Sequence, residues 1–90
     1  MKAYTDLFNQ PISKDDVRMA VAVAVRTDNP YPSNLQRRMK IGYGKAARLV
    51  KLLADAGVTS DRNKTPRYVI LKNEEQATNA ALRQLKKGRK

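Results

Sequence analysis

From Ser33 to Ala54 the charged side chains are Arg37, Arg38, Lys40, Lys45, Arg48 and Lys51, all basic, and the first acid is Asp55. At about 100° per residue, Gly44, Lys45, Arg48, Lys51 and Asp55 share one side of a helix over Tyr43–Ala56. Tyr43, Ala46, Ala47, Leu49, Val50, Leu53 and Ala54 share the other, and only Leu52 falls among the polar set. A purely structural helix usually mixes charge signs so that i,i+4 pairs form. Here the outward side reads as unpaired positive charge, unfavourable alone and useful beside phosphates. The planar fork of Arg48 suits guanine O6 and N7 in a major groove. Lys45 and Lys51 flank it, within reach of base edges or phosphates, and Gly44 lets backbone approach the groove edge. Ser33, Arg37, Arg38, Lys40 and Tyr43 lie where phosphates usually run, although an aromatic at Tyr43 more often packs inward. Arg62, Lys64 and Arg67 add charge to a candidate wing, and Lys86, Lys87, Arg89 and Lys90 form a basic tail. The plain alternative is a solvated basic face with no ligand.

Composition supports a polyanion partner. Nineteen Lys and Arg oppose eight Asp and Glu, a net charge of +11 on 90 residues. Such a balance favours DNA, RNA or an anionic surface. Hydrophobic residues make up 41%, enough for one compact domain. The longest apolar run, Met19–Val25, stops at Arg26, so no membrane span is expected. The start Met1-Lys2-Ala3-Tyr4-Thr5-Asp6 has no secretory pattern, and a cytoplasmic, nucleoid-associated location is expected. Cysteine and histidine are both absent, removing thiolate sites, the usual zinc ligand and the usual general base. Asp15–Asp16 and Glu74–Glu75 are adjacent pairs at helix starts, which capping explains. No enzyme, cofactor or metal is expected.

The elements that must position these residues follow from caps and turns. Residues 1–12 read as an arm whose Leu7 and Phe8 strap the core. Ser13 is the N-cap of a first helix, with Asp15 and Asp16 in its first turn. Val21, Val23 and Val25 alternate as a buried strand would, but the cap and the alanines favour helix through Arg26. Thr27-Asp28-Asn29-Pro30-Tyr31-Pro32 is a turn cluster. Ser33-Asn34-Leu35-Gln36 has capping-box form and predicts a short helix over Asn34–Met39. Lys40-Ile41-Gly42 is a tight turn, and Gly57 suits a left-handed position after the third helix. Val58–Ser60 and Arg67–Leu71 predict a hairpin around Asp61–Pro66. Asn73-Glu74-Glu75-Gln76 opens a last helix, about Glu74–Lys86, with a thin stripe of Ala77, Ala80, Ala81 and Leu85. Arg18, Arg26 and Lys72 have no assignment beyond surface charge. The expected fold is mainly α with a small β-hairpin: a winged helix-turn-helix over 13–72, then a C-terminal helix and tail over 73–90.

The string Lys40-Ile41-Gly42-Tyr43-Gly44-Lys45-Ala46-Ala47-Arg48-Leu49-Val50, followed by Asp55-Ala56-Gly57-Val58, resembles the C-terminal gamma domain of the FtsK/SpoIIIE DNA translocases. Asp16–Val17 and Leu35-Gln36-Arg37-Arg38 are also similar, and the likeness covers about Asp15–Leu71. It implies a winged helix that reads short G-rich sequences, with several copies side by side, and that touches the XerD recombinase. Gly44 stands where that family has Asn, Lys45 where it has Arg, and Lys51 where it has Glu, while Arg48 matches. The resemblance therefore implies DNA binding without implying the same target. The motor is absent, which suggests a stand-alone gamma-like protein.

The leading expectation is a sequence-specific double-stranded DNA-binding protein using helix 43–56 and wing 58–71. A small repressor of a phage, plasmid or other mobile element fits, bound as a homodimer or side-by-side multimer. The alternatives are an interaction module for a recombinase, translocase or other DNA-processing partner, a non-specific architectural protein, or an RNA binder.

Overall fold

A computed structural model describes residues 12–60 and 67–88. Its helices are α1 (Lys14–Thr27), α2 (Pro32–Met39), α3 (Tyr43–Asp55) and α4 (Glu74–Gly88). The expected arm with Leu7 and Phe8, and the loop Asp61–Pro66, lie outside the described residues.

Helix α1 starts at Ser13, as its residue type predicts. Ser13 Oγ accepts from the Asp16 N–H at 3.0 Å, and the Asp16 carboxylate accepts from the Ser13 N–H at 3.0 Å. This reciprocal cap satisfies two orphan donors at once. Val17, Ala20, Val21 and Ala24 are fully buried. That spacing of three and four is helical, so the valine alternation was not a strand signal. Asp28, at φ 53°, ends the helix, and the Asn29 N–H reaches back to the Ala24 carbonyl.

Helix α2 corrects the expected cap. It begins at Pro32, with Tyr31 as an N-cap that makes no side-chain capping bond. Proline's fixed φ is already helical and its missing N–H is no loss in a first turn. The helix therefore starts before Ser33, which lies exposed inside its first turn. The turn to α3 also differs from expectation. Gly42 has an ordinary φ of −71° and is the N-cap of α3. The left-handed residue is Lys40, at φ 57°, and the Ile41 N–H bonds the Gln36 carbonyl at 3.2 Å. A lysine in this region carries a steric penalty that glycine avoids. Lys40→Gly is expected to raise stability by about 0.5–1 kcal/mol in urea unfolding, net of glycine's extra unfolded-state entropy.

Gly57 does take the left-handed conformation, at φ 80°, after α3. The Val58 N–H then bonds the Leu53 carbonyl at 2.9 Å. The predicted hairpin does not form as paired strands among the described residues. Thr59 and Val69 make one isolated antiparallel bridge. Ser60 N–H bonds the Tyr68 carbonyl at 2.8 Å, and Ile70 N–H bonds the Val58 carbonyl at 2.8 Å. The runs are brought side by side, but Tyr68 N–H goes to the Ser60 hydroxyl instead of extending the ladder.

Asn73 caps α4 through the Gln76 N–H at 2.9 Å, as predicted, and the helix runs on to Gly88. Its alanine stripe is part of the core. Ala77 and Ala81 are fully buried in the cluster that holds Val17, Leu35, Leu49, Leu53 and Val58. These alanines are therefore unavailable as a contact between copies. Arg26 forks onto Glu74 with bonds of 2.8 and 3.0 Å, joining the end of α1 to the start of α4. Glu74 raises the pKa of Arg26 further above its already high ordinary value.

Candidate nucleic-acid interface

A buried polar side chain fixes the angle between α1 and α2. Asn34 is 3% exposed. Its amide nitrogen donates to Thr27 Oγ1 at 2.8 Å and to the Asn29 carbonyl at 3.0 Å. Its amide oxygen accepts from Arg38 Nε at 3.0 Å. Thr27 in turn donates to the Val23 carbonyl at 2.6 Å. This chain runs from the last turn of α1 through the connecting turn to α2, and it aims one of the candidate phosphate contacts. By sequence alone Asn34 belongs only to the capping segment Ser33–Gln36. Its place four residues before Arg38 was the available signal.

Leu35 of α2 and Ala46, Leu49, Val50 and Leu53 of α3 are buried together, which turns the opposite side of α3 outward. Tyr43 is 58% exposed, so the inward-packing expectation for it fails. Gly44 and Lys51 are exposed, and Arg48 is half-buried. Ala47, counted with the apolar side, is also only half-buried, because it lies at the border of that side, about 40° from Lys51 around the helix. Arg37, Arg38 and Lys40 are exposed beside this face.

The expectation of unpaired charge along α3 does not hold for Lys45 and Lys51. Lys45 Nζ lies 3.0 Å from Asp16 Oδ2, with side-chain exposures of 20% and 22%. Lys51 Nζ lies 2.9 Å from Asp55 Oδ2, an i,i+4 pair about half exposed. Within α3 the i,i+4 acid was visible in the sequence. The Asp16 partner was not, because packing alone brings α1 to α3. Burial pushes the Asp16 carboxyl up, but Ser13 and Lys45 outweigh it and hold the carboxyl below its ordinary value. A depressed folded pKa means stability that is complete above the unfolded value of about 3.9 and lost as pH falls through the lower folded one. The stability difference between wild type and Asp16→Asn is thus expected to be flat above about pH 5 and to shrink below about pH 4. Urea unfolding across that range measures it.

Of the wing residues, Arg67 is described. Its N–H donates to the Tyr31 hydroxyl at 2.8 Å, and its guanidinium carbon lies 5.4 Å from the Tyr31 ring centroid. A tyrosine read as a turn residue thus anchors the loop base to the start of α2, by hydrogen bond and cation–π contact. Arg62 and Lys64 lie outside the described residues, as do Arg89 and Lys90 of the tail. Lys86 and Lys87 share an open cleft with Asp55 and Ala56, so the last turns of α4 adjoin the end of α3.

A built Cβ at Gly44 meets nothing within 4 Å. Gly44→Ala is expected to raise stability by about 0.5–1 kcal/mol through helix propensity. A simultaneous fall in duplex affinity would mark the backbone there as a contact surface. No group of three or more acidic side chains with metal-holding geometry occurs among the described residues. No described helix is long and apolar enough to cross a membrane.

The Ftsk gamma domain family matches residues 13–72, spanning α1 to the segment before α4. The DNA translocase FtsK of Caldanaerobacter subterraneus subsp. tengcongensis is 40% identical over 57 residues, 62% of this chain and 8% of that protein. The DNA translocase FtsK proteins of Brucella melitensis biotype 1 and Brucella suis biovar 1 are each 36% identical over 59 residues, 66% of this chain and 7% of theirs. The chain thus spans less than a tenth of the length of these relatives. No solved structure matches.

Proposed function

The chain belongs to the Ftsk gamma domain family, and from that premise we propose that it is a sequence-specific double-stranded DNA-binding module with α3 as the groove-reading helix. The observation that carries this reading is the outward side of α3. Gly44, Arg48 and Lys51 lie on it, and exposed Arg37, Arg38 and Lys40 frame it across a short turn. Small residues at 44 and 47 leave room for a groove edge, and the flanking cations suit phosphate. The FtsK relatives are DNA translocases by name, which agrees with a duplex partner. In this reading the segments 58–60 and 67–71 flank the wing, with Arg67 held against Tyr31, and the protein binds rather than catalyses. A second copy beside the first would raise the weak affinity of a single domain.

Random-sequence selection with the purified protein tests the proposal. Enrichment of a short motif is the expected result, and its spacing reports the number of copies bound. Failure to retain any duplex at low ionic strength overturns it. A second reading, docking on a DNA-processing protein, draws on the translocase relatives. Biological activity that survives Arg48→Ala/Lys51→Ala while duplex binding is lost would favour it.

A further inference from the structure

Two lysines of α3 are paired, and the pairs differ in kind. Lys51 and Asp55 sit on one helix with both side chains about half exposed. Such a pair contributes little to stability, is screened by salt, and yields readily to a phosphate. Lys45 and Asp16 come from different helices and are each about four-fifths buried. Asp16 is also immobilised. Its Oδ2 accepts the Ser13 N–H at 3.0 Å, its own N–H is held by Ser13 Oγ, and the same oxygen meets Lys45. The N-terminal end of α1 favours a carboxylate there.

We propose that Asp16 is a specificity determinant that holds Lys45 back from indiscriminate phosphate contact. The proposal rests on the duplex-binding reading of α3. A phosphate that recruits Lys45 must displace a fixed, partly buried carboxylate and approach its negative charge. Any duplex can recruit the exposed Lys51, but only a fitting groove adds the base contact at Arg48 that offsets the cost of freeing Lys45. Asp16 therefore lowers affinity for wrong sequences more than for the right one, which is discrimination by a repulsive element.

Asp16→Asn tests this. Asn keeps an oxygen for the Ser13 N–H and removes the charge. Asp16→Gln is the second variant, since Gln at this position also completes a capping box. Binding of a fluorescein-labelled mixed-sequence duplex is followed by anisotropy across a KCl series, with thermal unfolding as the fold control. The expected result is tighter mixed-sequence binding and a log–log salt slope steeper by about 0.9, the signature of one added phosphate contact. In a Lys45→Ala background the same substitution should not steepen the slope. Acetylation with acetic anhydride, read by mass spectrometry, should modify Lys45 more slowly than Lys51 in the wild type and at a similar rate in Asp16→Asn. Folded variants that bind like wild type overturn the proposal. So does an equal gain in the Lys45→Ala background, which would reflect bulk charge alone. If no variant binds duplex yet Lys45 still becomes reactive, the duplex-binding reading is what fails.

Discussion

Asn34→Ala is expected to lower stability by about 2–4 kcal/mol, because three hydrogen bonds disappear together from a buried position. The amide nitrogen bonds Thr27 and the Asn29 carbonyl, and the oxygen bonds Arg38. Alanine fills little of the space and satisfies none of these partners. The Thr27 hydroxyl and the Asn29 carbonyl lose their donor where water has limited access. For a domain of this size the melting temperature should fall by roughly 10–25 °C. Asn34→Asp separates the two halves of the network. It keeps the acceptor for Arg38 and removes both amide donors, placing a carboxylate beside the Asn29 carbonyl. It should therefore be at least as damaging as alanine, although it keeps the Arg38 bond. If Asn34→Ala melts within a degree or two of wild type, the network does not hold α1 against α2. Thermal unfolding followed by circular dichroism decides the matter.

Arg48→Ala is expected to cost about 1–3 kcal/mol of duplex affinity and to blur one position of the selected motif. A guanidinium bidentate to one base edge discriminates at that position and leaves its neighbours intact. Lys87→Ala, at the end of α4, should instead weaken all duplexes alike and reduce the salt slope by about one unit. Arg48 is half-buried, so unfolding must be measured in parallel to separate lost contact from lost fold. Identical behaviour of the two variants across a panel of base substitutions would show that Arg48 contacts phosphate and does not read sequence.

Local chemistry was legible in the sequence wherever one turn of chain contains the whole interaction. Ser13 and Asn73 cap their helices because a side-chain oxygen needs only a donor two or three residues on. Gly57 ends α3 for an equally local reason. The buried side of α3 follows from helical periodicity, as does the exposure of Gly44 and Lys51. The failures are also physical. Ser33 lost the cap of α2 because Pro32 is already set for a first turn. Lys40 occupies the left-handed position because the turn is placed by where α2 must stop for Ile41 to pack on the core.

What the chain order alone determined was the set of helices, their inner sides and the all-basic charge from Ser33 to Ala54. Only tertiary structure decided which of those charges are presented. Packing of α1 against α3 brings Asp16 to Lys45, and closure of the loop base brings Arg67 onto Tyr31. It also consumes the alanines of α4 in the core and sets Asn34 at the centre of a polar network. The reason is one of range. Caps and periodicity act within a turn of backbone, whereas satisfying a partly buried charge or amide depends on what a distant segment places within about 3 Å of it.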